Sequence, residues 1–309
     1  MKVKKVSKLY HIEPKQKFNN NWETSKYMFA QPCLHAIIGC RGSGKSHLVS
    51  KIIRAGNAEG LYDIIYFISP SFLSNKKLFD DLGVEEQNVY TPDKGSVQAI
   101  IDRIDEDAAE WEAFQEELAL YKKMINEKVN NFDDVELDMM ENMIQDNQII
   151  RPEWKYKRER KVQSLLILDD IIGSPCMHQT SGINKILTLN RHQGQLKSGG
   201  ALGLAVIILA QTYSTTSGQS LSRLAREQVT ELTLFQNKAE KQFEKIVEET
   251  GGSLDEQQLR DAYKYAIKEK HDNLTISFNP KCETMRYRRN LNEFLCFPDA
   301  LKECKCKSK

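Results

Sequence analysis

Three groups of residues in this 309-residue chain could do chemistry together, and each closes an apolar run. The first, Gly39-Cys40-Arg41-Gly42-Ser43-Gly44-Lys45-Ser46, fits the pattern G-x-x-x-x-G-K-[ST], with His47 next in line. Glycines at these positions let the backbone curl until successive N–H groups face one anion. Lys45 would reach the β- and γ-phosphates of a bound nucleotide, and the Ser46 hydroxyl would take a place on Mg²⁺. The second group is Asp169-Asp170, after Ser164-Leu165-Leu166-Ile167-Leu168. Asp169 would hold the metal, and Asp170 would orient or deprotonate an attacking water. Adjacent strand residues point to opposite faces, so the turn after the strand must re-aim one of the two acids. The third is Gln211, after Leu204-Ala205-Val206-Ile207-Ile208-Leu209-Ala210, a polar side chain suited to sensing the γ-phosphate.

The elements that must position these groups follow from the pattern of apolar residues. Leu34 to Ile38 predicts a strand running into the glycine-rich turn, and a helix follows from Lys45 to about Arg54. Asp63 to Ile68 predicts a strand buried on both faces, ended by Ser69-Pro70, and Asn88-Val89-Tyr90 a short one. Ser96 to about Ile104 predicts an amphipathic helix. Between Asp102 and Asn147, Trp111, Phe114, Leu118, Tyr121 and Ile125 recur at helical spacing among carboxylates, and Val135 to Ile144 repeats the pattern after Asn130-Asn131. Two or three inserted helices are expected there. After Phe235, helices are expected over Lys238 to Thr250 and Leu254 to Lys270. Asn273 to Phe278 alternates like an edge strand that Met285 to Arg289 could pair with.

Composition limits the function classes. The chain is 40% apolar and 28% charged, and no run approaches the roughly 18 uncharged apolar residues of a membrane span. Met1 to Lys8 is not followed by an apolar signal core, so export is not expected. The seven cysteines (Cys33, Cys40, Cys176, Cys282, Cys296, Cys304 and Cys306) are scattered and match no common zinc spacing; reduced thiols in a cytosolic setting are expected. The net charge of +1 conceals blocks: Lys2, Lys4, Lys5, Lys8, Lys15 and Lys17 make a basic arm, Asp102 to Asp146 is acidic, and Arg151 to Lys161 is basic. Such blocks are solvated faces or steer polyanions and neighbouring subunits. Trp22, Tyr27 and Phe29 in the arm are expected to pack on the domain edge.

The order of Gly39 to Ser46, Leu165 to Asp170, Asn190-Arg191-His192, Ile207 to Ser214 and Leu224-Ala225-Arg226, followed by Leu232 to Phe235, resembles the poxvirus-type genome-packaging ATPases of large DNA viruses and virophages, a branch of the FtsK/HerA superfamily. The resemblance spans roughly Leu34 to Lys245. It implies an α/β P-loop NTPase with a RecA-like, mainly parallel sheet flanked by helices, and a strand between the phosphate-loop strand and the acidic one. It further implies ATP and Mg²⁺ as cofactors, and a homo-oligomeric ring, most simply a hexamer, that drives double-stranded DNA into a capsid at a virion assembly site with a capsid or portal-vertex partner. The chain divides accordingly into a basic arm (1–31), an ATPase domain (32–280) with an acidic helical insertion at about 102–150, and a basic, cysteine-containing tail (281–309). The acidic insertion and the tail carry no motif of that family, and the glycine-rich stretch Gly194 to Gly203 is longer than the resemblance leads one to expect.

A ring supplies one more cation from the neighbouring subunit, and Arg191, Arg223 and Arg226 are the candidates for that arginine finger. Two basic loops could contact the DNA backbone or serve as hinges: Arg191-His192-Gln193 with Lys197, and Lys155 to Lys161. Rival readings keep the same core with a different task. A helicase or resolution factor shares the ATP site, a small-molecule kinase would need an arginine-rich lid, and a nucleotide switch would bind without turnover.

Overall fold

The computed structural model describes residues 21–72, 76–80, 82–129, 150–214, 220–236, 240–252 and 254–298. Its frame is a nine-stranded sheet in the order β3-β2-β4-β5-β1-β6-β7-β8-β9. The strands are β1 (Leu34–Ile38), β2 (Ile64–Ile68), β3 (Val89–Tyr90), β4 (Ser164–Asp169), β5 (Leu204–Ala210), β6 (Glu231–Phe235), β7 (Asn273–Ser277), β8 (Tyr287–Arg289) and β9 (Glu293–Phe294). The first six are parallel to one another, and β7, β8 and β9 continue the sheet from β6 in antiparallel pairs. This is the mainly parallel α/β sheet flanked by helices that the resemblance implies, and β5 does separate β1, which runs into the glycine-rich loop, from the acidic strand β4.

The apolar runs of β1, β4 and β5 are continuous because helices cover both faces. On one face Leu166, Leu168, Val206 and Ile208 pack against Val97, Ile100, Ile101 and Ile104 of helix α3 (Ser96–Val129). On the other, Ile37, Ile167, Ile207 and Leu209 pack against Leu48, Val49, Ile52 and Ile53 of helix α1 (Lys45–Glu59). Alternate residues along each strand therefore serve opposite cores, as the pleat requires. The helix α1 runs five residues past the expected Arg54 and ends where Gly60 takes a left-handed conformation. A short α2 (Lys76–Asp80) follows β2, and α4 (Ile183–Leu189), α5 (Arg223–Gln228), α6 (Glu240–Thr250) and α7 (Glu256–Ala266) complete the described helices.

Three expectations change. The helix predicted over Ser96 to Ile104 continues without a break to Val129, so the first part of the acidic stretch extends a core helix. Val135 to Ile144 and the turn at Asn130-Asn131 lie outside the described residues, as do the lysines of the arm and Cys304 and Cys306. The β7 strand is not an edge: it lies between β6 and β8 with all five residues buried, because the tail folds back as β8 and β9 and takes the outer place. In the arm, Trp22 and Phe29 are buried as expected, but Tyr27 is 63% exposed. Cys282 and Cys296 both hydrogen-bond around Thr284, at 3.2 and 3.4 Å. No helix among the described residues is long and apolar enough to cross a membrane.

The acidic and basic blocks partly neutralise each other. Lys155 pairs with Asp107, at 2.8 Å, and with Glu110 of α3. The Tyr156 hydroxyl also donates to Asp107, at 2.9 Å. Trp154 anchors this strap between Trp111 and Phe114, with ring centroids 5.1 Å from each. Farther along, Arg160 donates to the Gly60 carbonyl at 2.9 Å and pairs with Asp63, satisfying the end of α1.

Within the sheet, β1, β6 and β7 bury a polar row. His35 Nε2 is 2.7 Å from the Thr233 hydroxyl, which is 2.7 Å from that of Thr275. Burial pushes His35 down to about 3, with the nearby Arg288 charge adding to the effect. Beside them Glu231 accepts from the Ser277 hydroxyl at 2.7 Å, while its second oxygen has no partner among the described residues. Burial pushes the Glu231 carboxyl up to about 8, against the Ser277 hydrogen bond and the Arg288 charge. A carboxyl whose folded value lies above its ordinary 4.5 stabilises fully below about pH 4.5 and loses that contribution as pH rises toward 8. Glu231→Gln should remove this loss. The difference in urea midpoint between variant and wild type should grow in the variant's favour from pH 5 to about 8. A pH-independent difference would refute the assignment.

Candidate functional site

The C-terminal ends of β4, β5 and β1 meet at one edge of the sheet, the position at which open α/β sheets bind ligands. Register makes them meet. Ile38 is paired with Ala210, and Asp169 with Leu209. Gly39 and Gln211 thus leave adjacent strands side by side, and the Gly39 amide donates to the Ala210 carbonyl at 3.1 Å. The result is a cleft of about 610 Å³ lined by Arg41, Gly42, Gly44, Lys45, Ser46, His47, Ser71, Asp169, Asp170, Leu209 and Gln211.

The loop is held open by its glycines. Gly42 and Gly44 have φ of 76° and 108°, a region that costs residues with a Cβ roughly 1–2 kcal/mol. Gly39 serves close packing: a Cβ there would lie 2.5 Å from Ser43 Oγ and 3.0 Å from Phe235 Cβ. Gly44 caps α1 with no side-chain bond, and the first turn of the helix has no acidic residue. Its N-terminal amides and positive dipole end therefore face the cleft without an internal anion. Cys40 and Arg41 are exposed on the loop, and the Cys40 carbonyl accepts from the Ser43 amide at 3.1 Å.

Lys45 closes back on its own loop, donating to the carbonyls of Gly39 at 2.5 Å and Cys40 at 3.2 Å. Burial lowers its pKa, and the charges of Asp169, Cys40 and Asp170 act against that fall. Asp169 is shifted the other way. Burial raises its carboxyl, the adjacent Asp170 adds to the rise, and Lys45 and a hydrogen bond from Ser69 only partly offset it. The turn does re-aim the second acid: Asp170 has φ of 52°, a left-handed conformation at the strand end. Its Oδ1 accepts from Gln211 Nε2 at 3.3 Å. The hydroxyl of Ser46 and the carboxylate of Asp169 are hard oxygen donors lining one cleft, and two acids under-compensated by one lysine fit a divalent cation such as Mg²⁺, which takes one or two carboxylates and leaves further positions to phosphate and water.

The arginines predicted as fingers lie elsewhere. Arg191, in a single turn spanning Asn190–His192, lines a separate cleft of about 850 Å³ together with Arg223 and Arg226. Arg226 is engaged: it donates to Glu249 at 2.9 and 3.1 Å and to the Leu221 carbonyl at 2.6 Å, and it stacks over Tyr213. Arg223 pairs with Glu227 within α5. Arg191 is exposed and makes no ion pair among the described residues.

Four contributors were missed in the sequence. Ser69 and Ser71, after β2, are linked by the Ser71 amide donating to Ser69 Oγ at 3.1 Å, and Ser69 supports Asp169. The rule that strand ends build the ligand edge would have found them, since β2 is the next strand along. Phe235 packs under Gly39 and Gly44, and His271 Nδ1 lies 3.0 Å from the Ser43 carbonyl. No local pattern marks these two, because the tail strands bring His271 to the loop.

No protein-family model matches the chain, and no curated protein does. Among solved structures, the fold is similar to the genome packaging NTPase B204 of Sulfolobus turreted icosahedral virus 2 in complex with AMPPCP, at 15% identity and a TM-score of 0.41 over 84% of this chain and 97% of that one. It is also similar to B204, the DNA-packaging ATPase of Sulfolobus turreted icosahedral virus, at 13% identity and a TM-score of 0.42 over 84% and 96%. A third likeness is to EssC (ATPases 2 and 3) of Geobacillus thermodenitrificans, at 15% identity and a TM-score of 0.36 over 68% of this chain and 34% of that one.

Gly39→Ala tests the close packing of the loop. The methyl has to displace Phe235 as well as the buried Ser43 hydroxyl, so the expected cost is about 1–3 kcal/mol in urea unfolding. A variant as stable as wild type would show that the loop gives way freely.

Proposed function

We propose that this chain is an ATP-hydrolysing motor subunit that moves double-stranded DNA, with ATP and Mg²⁺ bound in the cleft at the ends of β4, β5 and β1. One observation carries the ATPase reading: Lys45, Ser46, Asp169, Asp170 and Gln211 come from three separate strand ends and line a single cleft. The order of motifs, which resembles that of the genome-packaging ATPases, supports DNA in a capsid as the cargo and its end point. On that reading the chain works as a homo-oligomeric ring at a capsid or portal vertex during virion assembly.

Phosphoryl transfer needs positioning and charge neutralisation more than covalent chemistry. On binding a triphosphate, Lys45 would exchange the Gly39 and Cys40 carbonyls for β- and γ-phosphate oxygens. Ser46 and Asp169 would hold Mg²⁺, which when bound neutralises charge on the phosphates. Asp170, aimed by its left-handed backbone, would take the proton of the attacking water. Gln211 already donates to that carboxylate, so an amide able to reach the γ-phosphate would report its presence directly to the base.

The remaining cation would come from the next subunit, and the ion pairs favour Arg191. The side chain of Arg226 is 11% exposed and committed to Glu249, whereas Arg191 projects from a short turn with no such partner among the described residues. Of the two basic loops, Lys155 and Arg160 are already bound to Asp107 and Asp63, which, with Arg191 committed to the neighbouring site, leaves the exposed Lys197 the better DNA contact.

Lys45→Ala and Asp170→Asn should each reduce ATP turnover at least a hundredfold, and double-stranded DNA should stimulate the wild type. Mixing Arg191→Ala with Lys45→Ala subunits should restore activity that neither has alone. The mixture of Arg226→Ala with Lys45→Ala should not, because Arg226→Ala breaks a bond within its own subunit and lowers the melting temperature instead. No recovery in any mixture would remove the shared site, and turnover untouched by Lys45→Ala would remove the ATPase reading.

A further inference from the structure

The Ser43 carbonyl, inside the phosphate loop, faces His271 from the far end of the chain, 3.0 Å from its Nδ1. A carbonyl only accepts, so Nδ1 carries the proton and donates. His271 reaches it at a cost: its φ is 74°, left-handed for a residue with a Cβ, and such conformations persist where the surroundings over-determine them.

The surroundings here are tightly bonded. Asp272, directly after His271, accepts from Arg289 Nη2 and Asn290 Nδ2, each at 2.7 Å, and from the Glu269 amide at 3.1 Å. Asn273 in turn donates through its backbone and side-chain nitrogens to Asn290 Oδ1, both at 3.1 Å. Burial pushes the Asp272 carboxyl up, but the bonds from Asn290, Arg289 and the Glu269 amide, with the Arg289 charge, outweigh it and hold the group below the usual carboxylate range. The turn before β7 is thereby locked to the turn of the β8–β9 hairpin. Its one outward consequence is to press His271 against Ser43 and Gly44, with His271 Nδ1 3.6 Å from the place a Gly44 Cβ would occupy.

The peptide between Ser43 and Gly44 is trans and planar, so its C=O and N–H point in opposite directions. Fixing the carbonyl on His271 fixes the Gly44 N–H on the other side. That N–H makes no backbone hydrogen bond among the described residues, and Gly44 lines the nucleotide cleft.

We infer that His271 is a positioning residue of the phosphate cradle: by holding the Ser43 carbonyl it turns the Gly44 amide toward the phosphates of the bound nucleotide. The inference rests on the nucleotide reading above and extends it to a part of the chain with no phosphate-binding motif. Because the cradle amide contacts phosphate before and during transfer, its loss weakens binding of substrate and transition state alike. It raises KM and leaves kcat nearly unchanged.

Two substitutions separate the hydrogen bond from the backbone. His271→Gly accepts the left-handed conformation and removes the donor; His271→Asn accepts it and keeps an N–H that can reach the carbonyl. ATP affinity is measured by calorimetry on the full chain with Mg²⁺, alongside KM, kcat and melting temperature. His271→Gly should bind ATP about tenfold more weakly, with kcat within twofold of wild type, and His271→Asn should recover most of the affinity. Wild-type affinity in His271→Gly, or an equal loss in both variants, would overturn the inference. So would a kcat that falls with the melting temperature while KM stays constant. A wild type that binds no ATP would instead overturn the nucleotide reading itself, and this inference with it.

Discussion

Everything at the cleft beside the glycine-rich loop depends on the register of three parallel strands. In a parallel sheet neighbouring strands are about 4.8 Å apart, so residues one step past paired positions are neighbours whatever their separation in sequence. With Ile38 opposite Ala210 and Asp169 opposite Leu209, the phosphate loop, the acids and the glutamine are forced into one cleft. A slip of one residue in β5 would turn its apolar side chains to the wrong cores and move Gln211 off Asp170. Burial on both faces, with α1 on one and α3 on the other, holds the register against that slip.

Charge is distributed around this frame with a consistent logic. The cleft edge holds opposed groups that do not cancel: two acids, one lysine drawn onto its own loop, and a helix N-terminus with no acidic residue in its first turn. Elsewhere charges are consumed locally. The acidic helix α3 and the basic strap after it share Asp107, Arg160 finishes α1, and Arg226 is tied to Glu249. Net composition hides this, because a sum of charges does not record which of them already face a partner.

The tail strands give the sheet a second role. Antiparallel pairing of β7 with β6 and β8 covers the side of β6 that would otherwise be an open edge. The turn that leads into β7 returns to the phosphate loop and places His271 beside Ser43, while Phe235, at the end of β6, packs beneath Gly39. The cradle is therefore built from a local motif and buttressed by residues more than 190 positions away.

What the sequence determined by itself was local and periodic. Unbroken apolar runs specified β1, β4 and β5, glycine spacing specified the anion loop, and the two acids at a strand end foretold a re-aimed turn, seen at Asp170. Periodicity also gave the residues of α3 a helical face, though not its length, since no breaker marks the join between its buried and acidic parts. Tertiary structure alone decided which charges were already spent, why β7 is interior and how His271 reaches the site. The physical reason is one of range. Backbone propensity and side-chain period act over a few residues and are written in the chain, whereas ion pairing, edge protection and second contacts to a loop depend on elements that folding brings together from far apart.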